Sequence, residues 1–422
     1  MKATWPAAFG ALVASTAAPI VAAAGGMILL GACTSCQSTV REAAIPVIAA
    51  GSFDGVEADQ RAHRLYLGDS AAHGIDVVDI SSTTPRFVRT IDVAGAPNGL
   101  AVAEDTHRLY AGLIGGSVAV IDTDESSPKF MQMIDRVTVD SLAADLLDYS
   151  AQKQRVYVAT GQSGEVVGID TTTNQVKERL AAKVPVEQPR FNPADGLVYA
   201  ASTETDSVVQ INPASGKVTN TFKVAGCHPA GLAINPNRQL ALITCSGSVA
   251  LINLRNGAHE VTRAVTGGDI VSYNARADRF LVASPHDKSD SAVAVFYGDG
   301  QLLGTVAASP KTHAAAWDQE HGLVYAVSAA GLVSFTPAAC EPPPDWLKLV
   351  AGGSIYLMPF FAFGTFLFWY ARRRAGRRSE QPARPTWHQL QEEDLAAEQE
   401  RMRELEDGIF GPQLNQGMRP EP

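Results

Sequence analysis

Short runs of Val, Ile, Leu and Tyr recur between residues 44 and 338, each closed by Gly, Asn, Asp or Ser. The stretch Thr106–Asp124, THRLYAGLIGGSVAVIDTD, holds two such runs around a glycine-rich turn. Nearly the same phrase reads AHRLYLGDSAAHGIDVVDIS from Ala62 and KQRVYVATGQSGEVVGIDTT from Lys153. β-Branched and aromatic runs punctuated by turn residues predict strands joined by hairpins. No run here has helical spacing over three turns.

The phrases keep a near-constant step. Marking the second apolar position of each burst gives Tyr66, Tyr110, Tyr157, Tyr199, Ala241, Leu281 and Tyr325, at intervals of 44, 47, 42, 42, 40 and 44. Each unit reads as a short apolar stretch (GLAVA, GLAIN, IVSYN, HAAAW), the R-L-Y burst, an SVAVID-type run and a polar last stretch. Four strands in about 40–45 residues make one propeller blade. A single blade has two apolar faces and cannot bury both. Stacking blades around an axis buries each against a neighbour, and closing the ring removes the exposed ends. The pattern therefore predicts an all-β, seven-bladed β-propeller over residues 43–340. The seventh unit stops at TPAACEPPP with only three strands. The spare stretch Ala43–Gly51, AAIPVIAAG, is expected to supply the fourth and close the ring, covering an edge that would otherwise invite aggregation.

PNGLAV, HRLY, SVAVIDT and PAGLAI resemble the YVTN-type repeat family of seven-bladed propellers. The resemblance covers residues 44–338. Its repeats degenerate to QLA in the fifth unit and RFL in the sixth. Such a resemblance implies the fold. Its members include surface-layer and periplasmic binding proteins and, more distantly, lactonases, so it does not choose an activity.

Both flanks differ from the repeats. Lys2 precedes the nearly uncharged run Ala7–Cys33, which reads as an export signal or a retained N-terminal anchor. Its end, LLGAC, resembles a lipobox, which makes Cys33 a lipidation candidate. Leu349–Tyr370 is a 22-residue run without charge, followed by Arg372, Arg373, Arg374, Arg377 and Arg378. That length spans a bilayer, and the arginines mark the cytoplasmic side. A transmembrane helix over residues 347–371 puts the propeller on the periplasmic or extracellular side of a bacterial inner membrane, and residues 372–422 in the cytoplasm. In that tail, Thr386 with Gln389 forms a capping-box pattern and Gly408 ends the run, which predicts a helix over 387–407. Its thin apolar side (Leu390, Leu395, Met402, Leu405) suits a solvated helix or one held by a cytoplasmic partner.

Composition refines this picture. The 422-residue chain is 46% hydrophobic and 18% charged, with a net charge of −10. That charge argues against a partner bound through phosphate contacts, so no nucleic acid is expected. Five cysteines in an exported chain suggest disulfides. Cys227 and Cys245 flank one hairpin and are a candidate pair. Cys36 and Cys340 flank the closing strand and the strand it should join, and form a second.

Counting twelve residues back from each marker gives Asp54, Asn98, Asp145, Glu187, Pro229, Asp269 and His313, with His228 beside Pro229. These begin the innermost strands and should ring one mouth of the central channel. A wet channel mouth needs polar walls, which is one reading. The other is a ligand site: carboxylates and an amide oxygen suit a divalent cation such as Ca²⁺, and His228 with His313 would suit a transition metal. No HExxH, GxSxG, P-loop or dinucleotide pattern stands in a fitting context. The expectation is a membrane-tethered, non-catalytic binding or scaffolding module with no resident cofactor. The alternatives are a metal-dependent, lactonase-like hydrolase using the acidic mouth, and a redox propeller with haem held by His228 and His313.

Overall fold

A computed structural model describes residues 40–43, 53–263, 265, 267–285, 291–308, 311–328 and 331–337. These form seven four-stranded antiparallel sheets, six of them built from consecutive strands. The innermost strands of blades 1 to 7 are Phe53–Asp59, Pro97–Ala103, Leu147–Ser150, Pro189–Asn192, Leu232–Asn235, Val271–Asn274 and Ala314–Asp318. The expected export signal, residues 44–52, residues 286–290 and everything after residue 337 lie outside the described residues, as do Cys33, Cys36 and Cys340. No described helix is long and apolar enough to cross a membrane, and the 349–370 run is not among the residues described.

Seven apolar clusters hold the ring, one at each seam. Blade 2 shows why its runs are apolar at nearly every position rather than alternately. Leu109, Ala111, Ala119 and Ile121 pack toward blade 1. Their sequence neighbours Tyr110, Val118 and Val120 pack toward blade 3. Successive side chains point to opposite faces, and in the middle strands both faces are interior. Only the outermost strand, such as Gln132–Thr138, returns to mostly exposed positions. The seam between blades 7 and 1 is as apolar as the others, with Leu65, Leu67 and Ile80 against Tyr325, Val327 and Leu332.

The strand that completes blade 7 is Val40–Ala43, paired antiparallel with Gly331–Phe335 in the register Val40↔Phe335 to Ala43↔Leu332. The ring is thus closed from the N-terminal side, but three residues earlier than the expected Ala43–Gly51. Chain reach explains the shift. The closing strand is outermost in blade 7, and the chain must next reach Phe53 at the inside of blade 1. Crossing three strand spacings takes about 14 Å. A strand ending at Gly51 would leave Ser52 alone for that crossing, and the two steps from Gly51 to Phe53 span at most about 7 Å.

The repeat phase also needs one correction. Each hairpin between first and second strands turns on a residue in the left-handed region: His63, His107, Gln154, Gly196, Gln239, Asp278 and Gly322, with φ from 50° to 74°. The marker tyrosine lies three residues after this position in blades 1, 2, 3, 4 and 7. In blade 5 the same count gives Leu242, not Ala241. Leu242 packs toward blade 6, as Tyr199 packs toward blade 5. Twelve residues before Leu242 stands Ala230, so neither Pro229 nor His228 holds the channel-mouth position of blade 5.

Cys227 and Cys245 form a disulfide, with sulfurs 2.00 Å apart. Cys245 ends the second strand of blade 5, while Cys227 lies in the loop before the first, where its carbonyl accepts a 2.9 Å bond from Ser246 N–H. Closing an 18-residue loop stabilises a fold by about 3 kcal/mol in the chain-entropy account.

Candidate functional site

The mouth residues are placed by one repeated backbone bond. Asp145, Glu187 and Asp269 each donate N–H to a carbonyl near the end of the second strand of their own blade (Ala159, Ala201 and Ala283) at 2.8–2.9 Å. The side chains then meet across blades. Asp145 is pushed up to about 7, first by burial and then by Glu187, with which it shares a proton through a hydrogen bond. Burial also raises Glu187. Asn98 Nδ2 stands 3.5 Å from Asp145 Oδ1. On the other side of the mouth, His313 Nδ1 lies 2.7 Å from Asp269 Oδ2. That bond is the main cause raising the imidazole above its ordinary value. Burial raises Asp54, with His313 opposing and Asp269 adding to the shift. Asp54, Asn98, Asp145, Glu187, Asp269 and His313 thus form one electrostatic group.

His228 stands apart from it. Its backbone N–H donates to Asp206 Oδ1 at 2.7 Å, and its half-exposed ring lies 3.3 Å from the same carboxylate. The two histidines considered as haem ligands therefore belong to separate networks. Among the described residues, no group of three or more His, Cys, Asp or Glu could hold a metal ion.

The channel closes in its middle. Gln188, 1% exposed, takes N–H bonds from Leu232 and Val271 on Oε1 and gives one to Val271 O from Nε2. One side chain of blade 4 thus ties blades 5 and 6. Gly231, next to Leu232, lets the backbone of blade 6 come close: a Cβ there would run into Asp269 O. Arg190 continues the septum, donating to Leu147 O, Pro189 O and Val271 O at 3.0–3.2 Å. Between these groups and Gly55, Leu146 and Ile270 about 20 Å³ of space remains, roughly one water.

Beyond the septum a chamber of about 460 Å³ opens at the other end of the strands. Its walls include Glu57, Glu104, Asp105, Tyr149, Tyr273 and Trp317. The sequence reading missed it, although a repeat count finds it. Eight residues before the corrected markers stand Ala58, Val102, Tyr149, Phe191, Ile234, Tyr273 and Trp317, and five of these line the chamber. Gln60 braces the rim: its N–H donates to Glu104 Oε1 and its Nε2 to Trp317 O, at 2.9 and 2.6 Å. Tyr149 hydroxyl donates to Asp105 Oδ1 at 2.6 Å. Burial pushes Glu57 up to about 7, with Arg190 opposing and Asp148 and Glu104 adding to the shift.

Comparison with known proteins adds the fold and little more. No family model matches the chain, so the YVTN resemblance rests on the phrases quoted above. No curated protein matches it either. Among solved structures it is similar to the hydrazine synthase of Kuenenia stuttgartiensis, with 15% identity and a TM-score of 0.57 over 67% of this chain and 95% of that one. A likeness at that identity is one of fold alone, here the seven-bladed propeller.

Proposed function

We propose that the chain is a non-catalytic binding and scaffolding module of the bacterial envelope, of YVTN-type descent. Residues 349–370 anchor it in the inner membrane, the propeller faces the periplasm or exterior, and the 387–407 helix offers a cytoplasmic contact. The observation that supports a recognition role is the surface beside the acidic mouth. Ile114 and Leu142 are 62% and 64% exposed, and their segments are joined by the Gly115 N–H bond to Leu142 O and the Ile114↔Ala143 bridge. Leu142 stands three residues before Asp145. An apolar pair beside a carboxylate ring fits a protein partner that presents apolar and basic groups together.

Photocross-linking from position 142 in intact cells tests this. A discrete adduct is expected, weakened by Ile114→Glu and absent when the cross-linker stands at exposed Ala151 in the opposite chamber. Identical adducts from both positions, or none from 142, would count against the reading. Alkylation of single cysteines placed at 151 and 415 tests the topology: only the first should react from outside.

One observation favours a hydrolase as second reading. The Asp269–His313 pair has the geometry of an orienting carboxylate on a general base. Lactone hydrolysis that disappears in His313→Gln, with folding intact, would replace the binding reading.

A further inference from the structure

We propose that the chamber beyond the septum is a binding site for an organic ammonium cation, of the size and chemistry of choline. This goes beyond the recognition role of the acidic mouth and does not depend on it. Three observations converge. The first is volume: about 460 Å³ lies within the range of small-molecule sites, roughly 300–1,000 Å³, and is far larger than a bare metal ion needs.

The second is the wall. Three aromatic residues, Tyr149, Tyr273 and Trp317, share one repeat position in blades 3, 6 and 7 and all line the cavity. Both tyrosine hydroxyls are committed, to Asp105 and to Asp278 (2.8 Å). Ring surface is what they have left to offer a guest, and ring faces attract alkylated ammonium groups.

The third is charge. Glu57, Glu104 and Asp105 line the chamber, and among the described residues no Lys or Arg does. Glu104 already accepts Gln60 N–H, and Asp105 accepts the Tyr149 hydroxyl. Among the described residues, the Glu57 side chain has no hydrogen bond and no ion pair. The nearest cation, Arg190, serves three carbonyls and lies 3.7 Å from Asp148. Two carboxylates, Glu57 and Asp148, thus share one guanidinium in the same layer of the channel. A guest cation would supply the missing charge.

The groups facing Glu57 are Arg190, Asp148 and Glu104, with Asp105, Tyr149 and Tyr273 further out along the wall. A carboxyl held near 7 must lose its proton to receive a cation. Affinity should therefore rise about tenfold from pH 6 to pH 8, following the ionised fraction.

The test is calorimetric titration of the purified full-length protein with choline chloride, against 3,3-dimethylbutanol, which keeps the shape without the charge. Saturable choline binding at pH 8 is expected, with dimethylbutanol at least tenfold weaker. Glu57→Gln should weaken choline at least tenfold, Trp317→Leu about fivefold, and Glu204→Gln on the outer surface less than twofold. Choline binding no tighter than dimethylbutanol, or unchanged in Glu57→Gln, overturns the proposal. The dimethylbutanol comparison uses the unaltered chain, so it decides even where a variant fails to fold.

Discussion

At one end of the channel Asp145 shares its proton with Glu187 and Asp269 holds His313. At the other, Glu57 sits among aromatic walls with its nearest cation already engaged. The same seven strands build both ends, and burial raises carboxyls at both. What differs is compensation. The mouth carboxyls answer one another, so the mouth can remain polar without a guest. The chamber leaves one charge unanswered. A strong shift alone therefore does not mark a ligand site; a shift without a local partner does.

The largest effect is expected at the septum that keeps the two ends apart. Gln188→Leu removes an amide with three bonds to the backbones of blades 5 and 6 and leaves buried donors unmet. It should cost about 2–4 kcal/mol, read as a lower urea midpoint. A loss below about 0.5 kcal/mol would mean that the septum is not a structural tie.

A second test uses pH. Glu57 and Asp145 both titrate near 7 in the folded protein, above their unfolded values. Whatever stability they contribute is full below those unfolded values and falls as pH rises through 7. The thermal midpoint of the native chain should drop between pH 5 and pH 8. Glu57→Gln should gain about 1–3 kcal/mol on it at pH 8, clearly less at pH 5, and nothing well below the unfolded value. Equal gains at both pH values would show that Glu57 does not titrate at a raised value.

The smallest effect belongs to the mouth. The raised value of His313 gives stability that is present below about 6.5 and lost as pH passes its folded value. Asp269→Asn should cost about 0.5–1 kcal/mol at pH 5.5, less at pH 9, and lower the His313 midpoint followed by NMR.

Much of this was legible in the residues. The repeat of R-L-Y bursts specified seven blades because both faces of every blade are buried, and the twelve-residue count found six of the mouth positions. Two readings slipped for local reasons. In blade 5, the burst QLAL offers two apolar positions where others offer a tyrosine, and only the left-handed Gln239 sets the phase. The closing strand reads VREA; its two charged residues suit an outermost strand better than the apolar AAIPVIAAG that hydropathy favours. The chamber stayed hidden because Glu57 has no acidic counterpart at its repeat position except Asp148, and Arg190 there offsets only one of the two. Its exception lies in a charge balance across the ring, which spacing along the chain does not display.

The account turns on Glu57 lacking a partner while Asp145 has one. Carboxyl-carbon NMR of both groups, titrated with and without choline, measures this directly. Both should titrate near 7 without choline, and saturating choline should move Glu57 downward while leaving Asp145 in place. A Glu57 midpoint near the ordinary 4.5, or equal movement of both groups, would contradict it.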